Sequence, residues 1–211
     1  ASGCILAAAL TPGWSAAAPA PDAPATQPAA HPVYGQPVST AIHPGKMISY
    51  PSDGRDIAAY LVTPVLPAGD AAKRPAVIVA HDIFGMTDWV KHQADALAKQ
   101  GYTVIVPNLY SRLPNTSKGL DAKTAWLDYD QISDQQVSRD LRAAIDYLYQ
   151  DDQPTAQQPV GLIGYDMGGI YAMEVAGQDL RIAAAVNYYG RVLYADTSAR
   201  RPVSPVAQIF H

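Results

Sequence analysis

Cysteine is nearly missing from this sequence: Cys4 is the only one in 211 residues. That excludes an internal disulfide framework and any cysteine-based metal site. Charge is sparse as well. Charged residues make up 16% of the chain and leave a formal net charge of -4, so no basic field calls for nucleic acid and no charged run suggests a binding tail. No apolar stretch is long enough to span a bilayer as a mature helix. Nothing in the pattern implies a metal or an organic cofactor, and the expected partner is a small-molecule substrate. What the chain does have is 48% hydrophobic residues, enough for one domain with a substantial core.

The N-terminal stretch reads differently from the rest. Cys4 to Leu10 is an unbroken apolar run, Thr11-Pro12-Gly13 breaks it, and Ser15-Ala16-Ala17-Ala18 supplies the small residues that a signal peptidase needs. Residues 1–18 therefore predict part of an export signal without its basic start, and delivery to a bacterial periplasm or secretion. Ala1-Ser2-Gly3-Cys4 also resembles a lipobox, which would put a lipid on Cys4, although the apolar run here follows the cysteine instead of preceding it. An Ala-rich tail of a cytosolic protein is the plainer alternative. Residues 19–44 are rich in Ala and Pro, and Asp22 is the only charged residue before Lys46. Proline fixes φ and removes donors, so this stretch predicts an extended linker ahead of a folded region at 45–211.

From Gly45 onward strand and helix signals alternate. Lys46 to Tyr50 and Ile57 to Thr63 flank Ser52-Asp53-Gly54, which predicts a hairpin. Ala76 to Ala80 and Thr103 to Val106 are short, β-branched apolar runs of the buried parallel type. Between them Val90, Ala94, Leu97 and Ala98 share a helical face, with Gly101 placed to end it. A long loop is expected from Asn108 to Lys123. Ser133 with Gln136 forms a capping box before a helix with Val137, Leu141, Ile145 and Leu148 on its core face. A strand over Ala183 to Tyr188 and a final one over Pro205 to Phe210 complete an α/β fold with a mainly parallel sheet flanked by helices. Ligands on such sheets bind at the carboxyl ends of the strands. Asp82, Asn108, Asp166 and Tyr189 all fall there.

The run Gly164-Tyr165-Asp166-Met167-Gly168-Gly169 carries the most chemistry. It links the strand-like Pro159 to Ile163 with the helix-like Ile170 to Ala176. A strand that turns into a helix through G-x-Nuc-x-G is the nucleophile elbow of α/β-hydrolases, where small residues permit a strained turn that lifts the central side chain above the sheet. The next residue's backbone N–H then contributes to an oxyanion hole. Here the central residue is an aspartate where most such enzymes carry Ser or Cys.

Several further segments occur in order with the elbow: Val77-Ile78-Val79-Ala80-His81-Asp82-Ile83-Phe84-Gly85, Ala94-Asp95 through Leu97-Ala98 to Gly101-Tyr102, and Pro107-Asn108-Leu109-Tyr110. Together they make the chain, from about Met47 onward, resemble the dienelactone hydrolase family of α/β-hydrolases. The resemblance implies Asp166 at the nucleophile position, which is usually Cys. It implies oxyanion-hole N–H groups from Ile83 and Met167, and Asp82 where the family often has Glu. It also places Arg112 as the arginine that binds a substrate carboxylate. Plainer roles exist beside these: Asp82 as the cap of the following turn, Arg112 as a solvated loop arginine, His81 and His92 as structural or surface groups, and Trp89 and Trp126 in packing.

Two departures shape the functional expectation. A carboxylate attacking an ester carbonyl would form a high-energy anhydride, whereas attack at saturated carbon gives an ordinary ester that water can cleave. Elbow aspartates resemble those of haloalkane and haloacetate dehalogenases and epoxide hydrolases. In addition, a close Asp82–Asp166 pair would raise one of the two pKa values. The second departure lies downstream. The fold's order is nucleophile, acid, histidine, yet the only histidine after Asp166 is the terminal His211, and Glu174, Asp179 and Asp196 sit in the elbow helix or on surface-like segments. The expectation is a C-terminally incomplete domain, a fragment of a longer reading frame, inactive by itself for want of a general base. Three readings stay open: an exported ester or lactone hydrolase, an Asp-nucleophile dehalogenase or epoxide hydrolase, and a catalytically inactive binding domain.

Overall fold

The computed structural model describes residues 41–66, 68, 73–114, 121–155 and 157–209. Cys4, the export-like stretch, most of the Ala/Pro-rich stretch and His211 lie outside them. The hairpin forms around its Asp-Gly turn: β1 (Lys46–Ser52) pairs antiparallel with β2 (Arg55–Val62), Ser52 opposite Arg55. Asp53 and Gly54 both take positive φ, 45° and 71°. That turn matches the twist of the paired strands, and Asp-Gly adopts it at little cost.

Strands β3 (Ala76–Ala80) and β4 (Thr103–Pro107) are buried at every position. Val77, Val79, Val104 and Val106 pack with Val90, Ala94 and Ala98 of α1 (Asp88–Ala98). The alternate residues Ile78, Ala80 and Ile105 pack on the other face with Leu141 and Ile145 of the helix at Asp134–Leu148. Apolar side chains on both faces are why these segments read as unbroken hydrophobic runs. With β5 (Val160–Tyr165) and β6 (Ile182–Tyr188), the described residues form one six-stranded mixed sheet in the order β1-β2-β4-β3-β5-β6. The four strands from β4 to β6 in that order run parallel, and β2 joins β4 antiparallel. β6 pairs only with β5 among the described residues, and Val186 and Tyr188 remain 40% and 47% exposed.

The structure departs from the sequence expectation in two segments. The loop expected through Lys123 gives way at Ala122 to helix α2 (Ala122–Gln131), capped by the Asp121 carboxylate, which accepts the Thr124 N–H at 3.1 Å. Helix α3 (Asp134–Leu148) follows, its Ser133 cap and its four core residues as expected. The final strand expected from Pro205 to Phe210 is instead a 3₁₀ helix over Pro205–Gln208. Pro205 opens it with a preset φ and no N–H to give to a sheet, and the Ile209 N–H closes on the Val206 carbonyl. Phe210 lies outside the described residues.

Candidate active site

Asp166 sits between β5 and α4 (Met167–Gln178) at φ 48° and ψ -111°. A side-chain-bearing residue there costs about 1–3 kcal/mol and persists only where its surroundings impose it. They do so here. The Asp166 N–H donates to the Tyr188 carbonyl at 2.8 Å, and its own carbonyl accepts the Gly169 N–H at 3.0 Å. A Cβ on Gly164 would lie 2.0 Å from the Gly168 carbonyl oxygen, and one on Gly168 would lie 2.2 Å from that of Ala80. The two glycines thus let the turn pack against itself and against the end of β3. The Asp166 side chain makes no capping bond and is exposed at the positive end of α4.

Asp82 follows β3 and does two things. Its Oδ1 accepts the Phe84 N–H at 2.9 Å and its carbonyl accepts the Gly85 N–H at 3.2 Å, so it caps the turn. Burial, and to a lesser extent the charge of Asp166, pushes its carboxyl above the usual range. The two carboxyls therefore lie within each other's field. Tyr110, just beyond β4, was given no role by sequence reasoning, though it stands at a strand end beside Asn108. Its hydroxyl donates to the Ile83 carbonyl at 2.8 Å and lies 3.5 Å from the Met167 sulfur. Burial and the charges of Asp128, Asp82 and Asp166 hold its proton firmly. One phenol thus joins the two segments that carry the expected oxyanion donors. Neither the Ile83 nor the Met167 N–H has a hydrogen-bond partner among the described residues.

Arg112 is placed otherwise than the resemblance implied. Its Nη2 lies 2.7 Å from Asp140 Oδ1 and donates to the Ser52 carbonyl at 2.7 Å, while Nε donates to Asp140 Oδ2 at 3.0 Å. Asp140 is buried, and a buried carboxylate needs such a partner. The guanidinium thus ties α3 to the hairpin, and the charges that act on it are those of Asp140, Asp53 and Tyr50, not of the elbow. It is not a solvated arginine. Glu174, placed in the elbow helix by the sequence, is only 1% exposed. Trp89 and Trp126 are half-exposed and pack edge-on against Tyr165 and Tyr129.

His81 is a structural histidine. It is fully buried, its Nε2 accepts the Leu109 N–H at 3.0 Å, and its Nδ1 therefore carries the proton it donates to the Asp82 carbonyl at 2.7 Å. Burial depresses its pKa to about 4. The unfolded chain takes up this proton near pH 6.5 and the folded chain only near 4, so acidification through that window favours unfolding. The expected loss is roughly 3 kcal/mol between pH 6.5 and 4. Chemical denaturation across this range, compared with His81→Asn, checks it. Parallel curves for the two proteins would show that His81 is not held neutral.

Two cavities flank other parts of the fold, one of about 390 Å³ beside the hairpin and α3, and one of about 500 Å³ between α3, α4 and the 3₁₀ helix. Asp166 lines neither, and the residue is exposed. Among the described residues no cluster of three or more His, Cys, Asp or Glu side chains could hold a metal, and no helix is long and apolar enough to cross a membrane.

Residues 57–210 match the model of the dienelactone hydrolase family. A Bradyrhizobium sp. protein named for 2-oxo-3-(5-oxofuran-2-ylidene)propanoate lactonase activity is 30% identical over 159 residues, which cover 75% of this chain and 61% of that protein. A carboxymethylenebutenolidase of Pseudomonas putida is 34% identical over 132 residues, covering 58% and 53% of the two chains. This chain thus spans little more than half to three-fifths of the length of these relatives. A solved structure from Klebsiella pneumoniae subsp. pneumoniae MGH 78578, described as a dienelactone hydrolase, superposes with a TM-score of 0.69 at 28% identity, covering 79% of this chain and 67% of that one.

Proposed function

We propose, since this chain belongs to the dienelactone hydrolase family, that it is a hydrolase of a small ester or lactone built around the Asp166 elbow. The observation that carries this reading is the strained, exposed conformation of Asp166 at φ 48° and ψ -111°, in a turn whose packing only glycines at 164 and 168 permit. In the proposed site the Ile83 and Met167 amides hold the developing oxyanion. Asp82, its carboxyl pushed toward the protonated form, keeps a second negative charge away from the attacking group. The lactonase name of one relative supports a lactone. Export belongs to the same reading and rests on the apolar run Cys4 to Leu10 and the small residues after it.

A second reading is favoured by the chemistry of the elbow residue itself. A carboxylate that makes no capping hydrogen bond suits displacement at saturated carbon, as in halide loss or epoxide opening, better than attack on an ester carbonyl. The test is a panel of activated esters, unsaturated lactones, haloacetates and epoxides, run with the protein and with Asp166→Asn. Ester or lactone turnover lost in the variant supports the first reading. Haloacetate or epoxide turnover lost in the variant supports the second. No turnover and no covalent adduct on Asp166 with any member sinks both and leaves a binding domain.

A further inference from the structure

Behind the elbow lies a polar cluster that the proposed reaction does not use. Glu174, two turns into α4, is 1% exposed and Asp134, in the first turn of α3, is 3% exposed. Each carboxyl has one oxygen satisfied: the Ser138 hydroxyl donates to Glu174 Oε2 at 3.1 Å, and the Tyr194 hydroxyl donates to Asp134 Oδ2 at 2.8 Å. The remaining oxygens, Glu174 Oε1 and Asp134 Oδ1, are buried and have no hydrogen-bond partner among the described residues. A buried oxygen without a donor is costly, and two buried carboxyls that act on each other do not both ionise near neutral pH. We propose that Asp134 and Glu174 share one proton between these two oxygens, forming a latch that holds α3 against the elbow helix α4 and opens when the proton leaves.

The surroundings fit a single retained proton. A hydrogen bond between the two carboxyls favours the proton on Glu174 and the charge on Asp134. Burial first, then the charge of Asp134, pushes Glu174 up to about 8. Other groups face the pair from each element packed against it. From α2, Tyr129 accepts from Arg201 Nε at 2.8 Å. From α4, the buried Tyr171 hydroxyl lies beside Asp134 and lowers it. From the segment after β6, Arg201 attracts the Asp134 charge, and from the 3₁₀ helix Gln208 favours the charged form of Glu174. Arg142 and Arg200 line the adjoining cavity of about 500 Å³. That cavity gives the proton a route to water.

Glu174 has a folded pKa above its unfolded value, so its stabilising contribution is complete below pH 4.5 and is lost as pH rises through 8. Above that, two charges face each other across the α3–α4 contact. Because α4 begins at Asp166 and Met167, the strain reaches the elbow.

The test uses the intact protein. In the difference between wild type and Glu174→Gln, infrared spectroscopy should show a protonated-carboxyl stretch at pH 7 that fades by pH 9. Amide exchange over residues 167–178, corrected for base catalysis, should lose protection at least tenfold between pH 7 and 9 in the wild type and stay flat in the variant. Should Glu174→Gln fail to fold, Asp134→Asn provides the second probe, since removing the charge that retains the proton must move the fading of the band to lower pH. A wild-type spectrum with no protonated carboxyl at pH 7 overturns the proposal. So does unchanged protection of α4 across the range.

Discussion

Gly168→Ala is expected to destabilise the protein by about 3 kcal/mol or more, the upper end of what an added methyl costs in a packed interior. The methyl would meet backbone on every side, with the Ala80 carbonyl oxygen at 2.2 Å, its carbon at 2.5 Å and the His81 carbonyl oxygen at 2.7 Å. None of these atoms belongs to a flexible side chain able to turn away. Relief requires moving α4 off the end of β3, and that movement also separates Met167 from the Ile83 segment. Since domains of this kind are stable by only about 5–15 kcal/mol, one methyl takes a large share of the total. The control is Gly161→Ala in β5, whose Cβ would meet only Val77 Cγ2 at 3.6 Å and the Ala76 oxygen at 3.8 Å, an ordinary contact. Urea midpoints of the two variants should therefore separate widely. Similar midpoints would mean that the elbow is not packed as tightly as described.

The strands were legible because their burial is written in residue type. β3 and β4 are covered on both faces, so every position is apolar or β-branched. The elbow was legible because its glycines answer a steric demand that no other residue meets. Helix α2 was hidden, since only Ala125, Asp128 and Tyr129 of its ten residues are buried and no clear apolar stripe results. The last segment looked like a strand from its apolar content, yet Pro205 and the local Ile209 to Val206 bond favour a 3₁₀ turn.

Roles that depend on distant partners were the least legible. Arg112 looks like any loop arginine until Asp140 and Ser52, 28 and 60 residues away, are seen to hold it. Glu174 could be placed in the elbow helix, but not its burial, because its partner Ser138 lies on α3, 36 residues away. Tyr110 bridges Ile83 and Met167 across 27 and 57 residues, a link that strand-end position alone suggests but cannot define.

Asp166→Cys should convert the elbow into an acyl acceptor. A thiolate attacks an activated ester without forming an anhydride, and a cysteine at a helix N-terminus has its thiol pKa lowered, which raises the reactive fraction near neutral pH. The Ile83 and Met167 amides would then act on the oxyanion; losing one such donor costs other hydrolases about 10²–10³ in rate. The second half-reaction needs a base. His81 cannot serve, because both of its nitrogens are committed to Leu109 and Asp82. With p-nitrophenyl acetate the expected result is therefore a burst of about one p-nitrophenolate per protein, followed by little turnover, at least a hundredfold faster than acylation of the Asp166 protein. Mass spectrometry should find the acetyl group on the new cysteine. A variant that folds normally but gives no burst would mean that the two amides do not converge on the elbow, and the site would then be a hydrolase scaffold without a working oxyanion hole. A burst followed by sustained turnover would instead reveal a base supplied from residues other than those described, and would make His211 the first residue to replace.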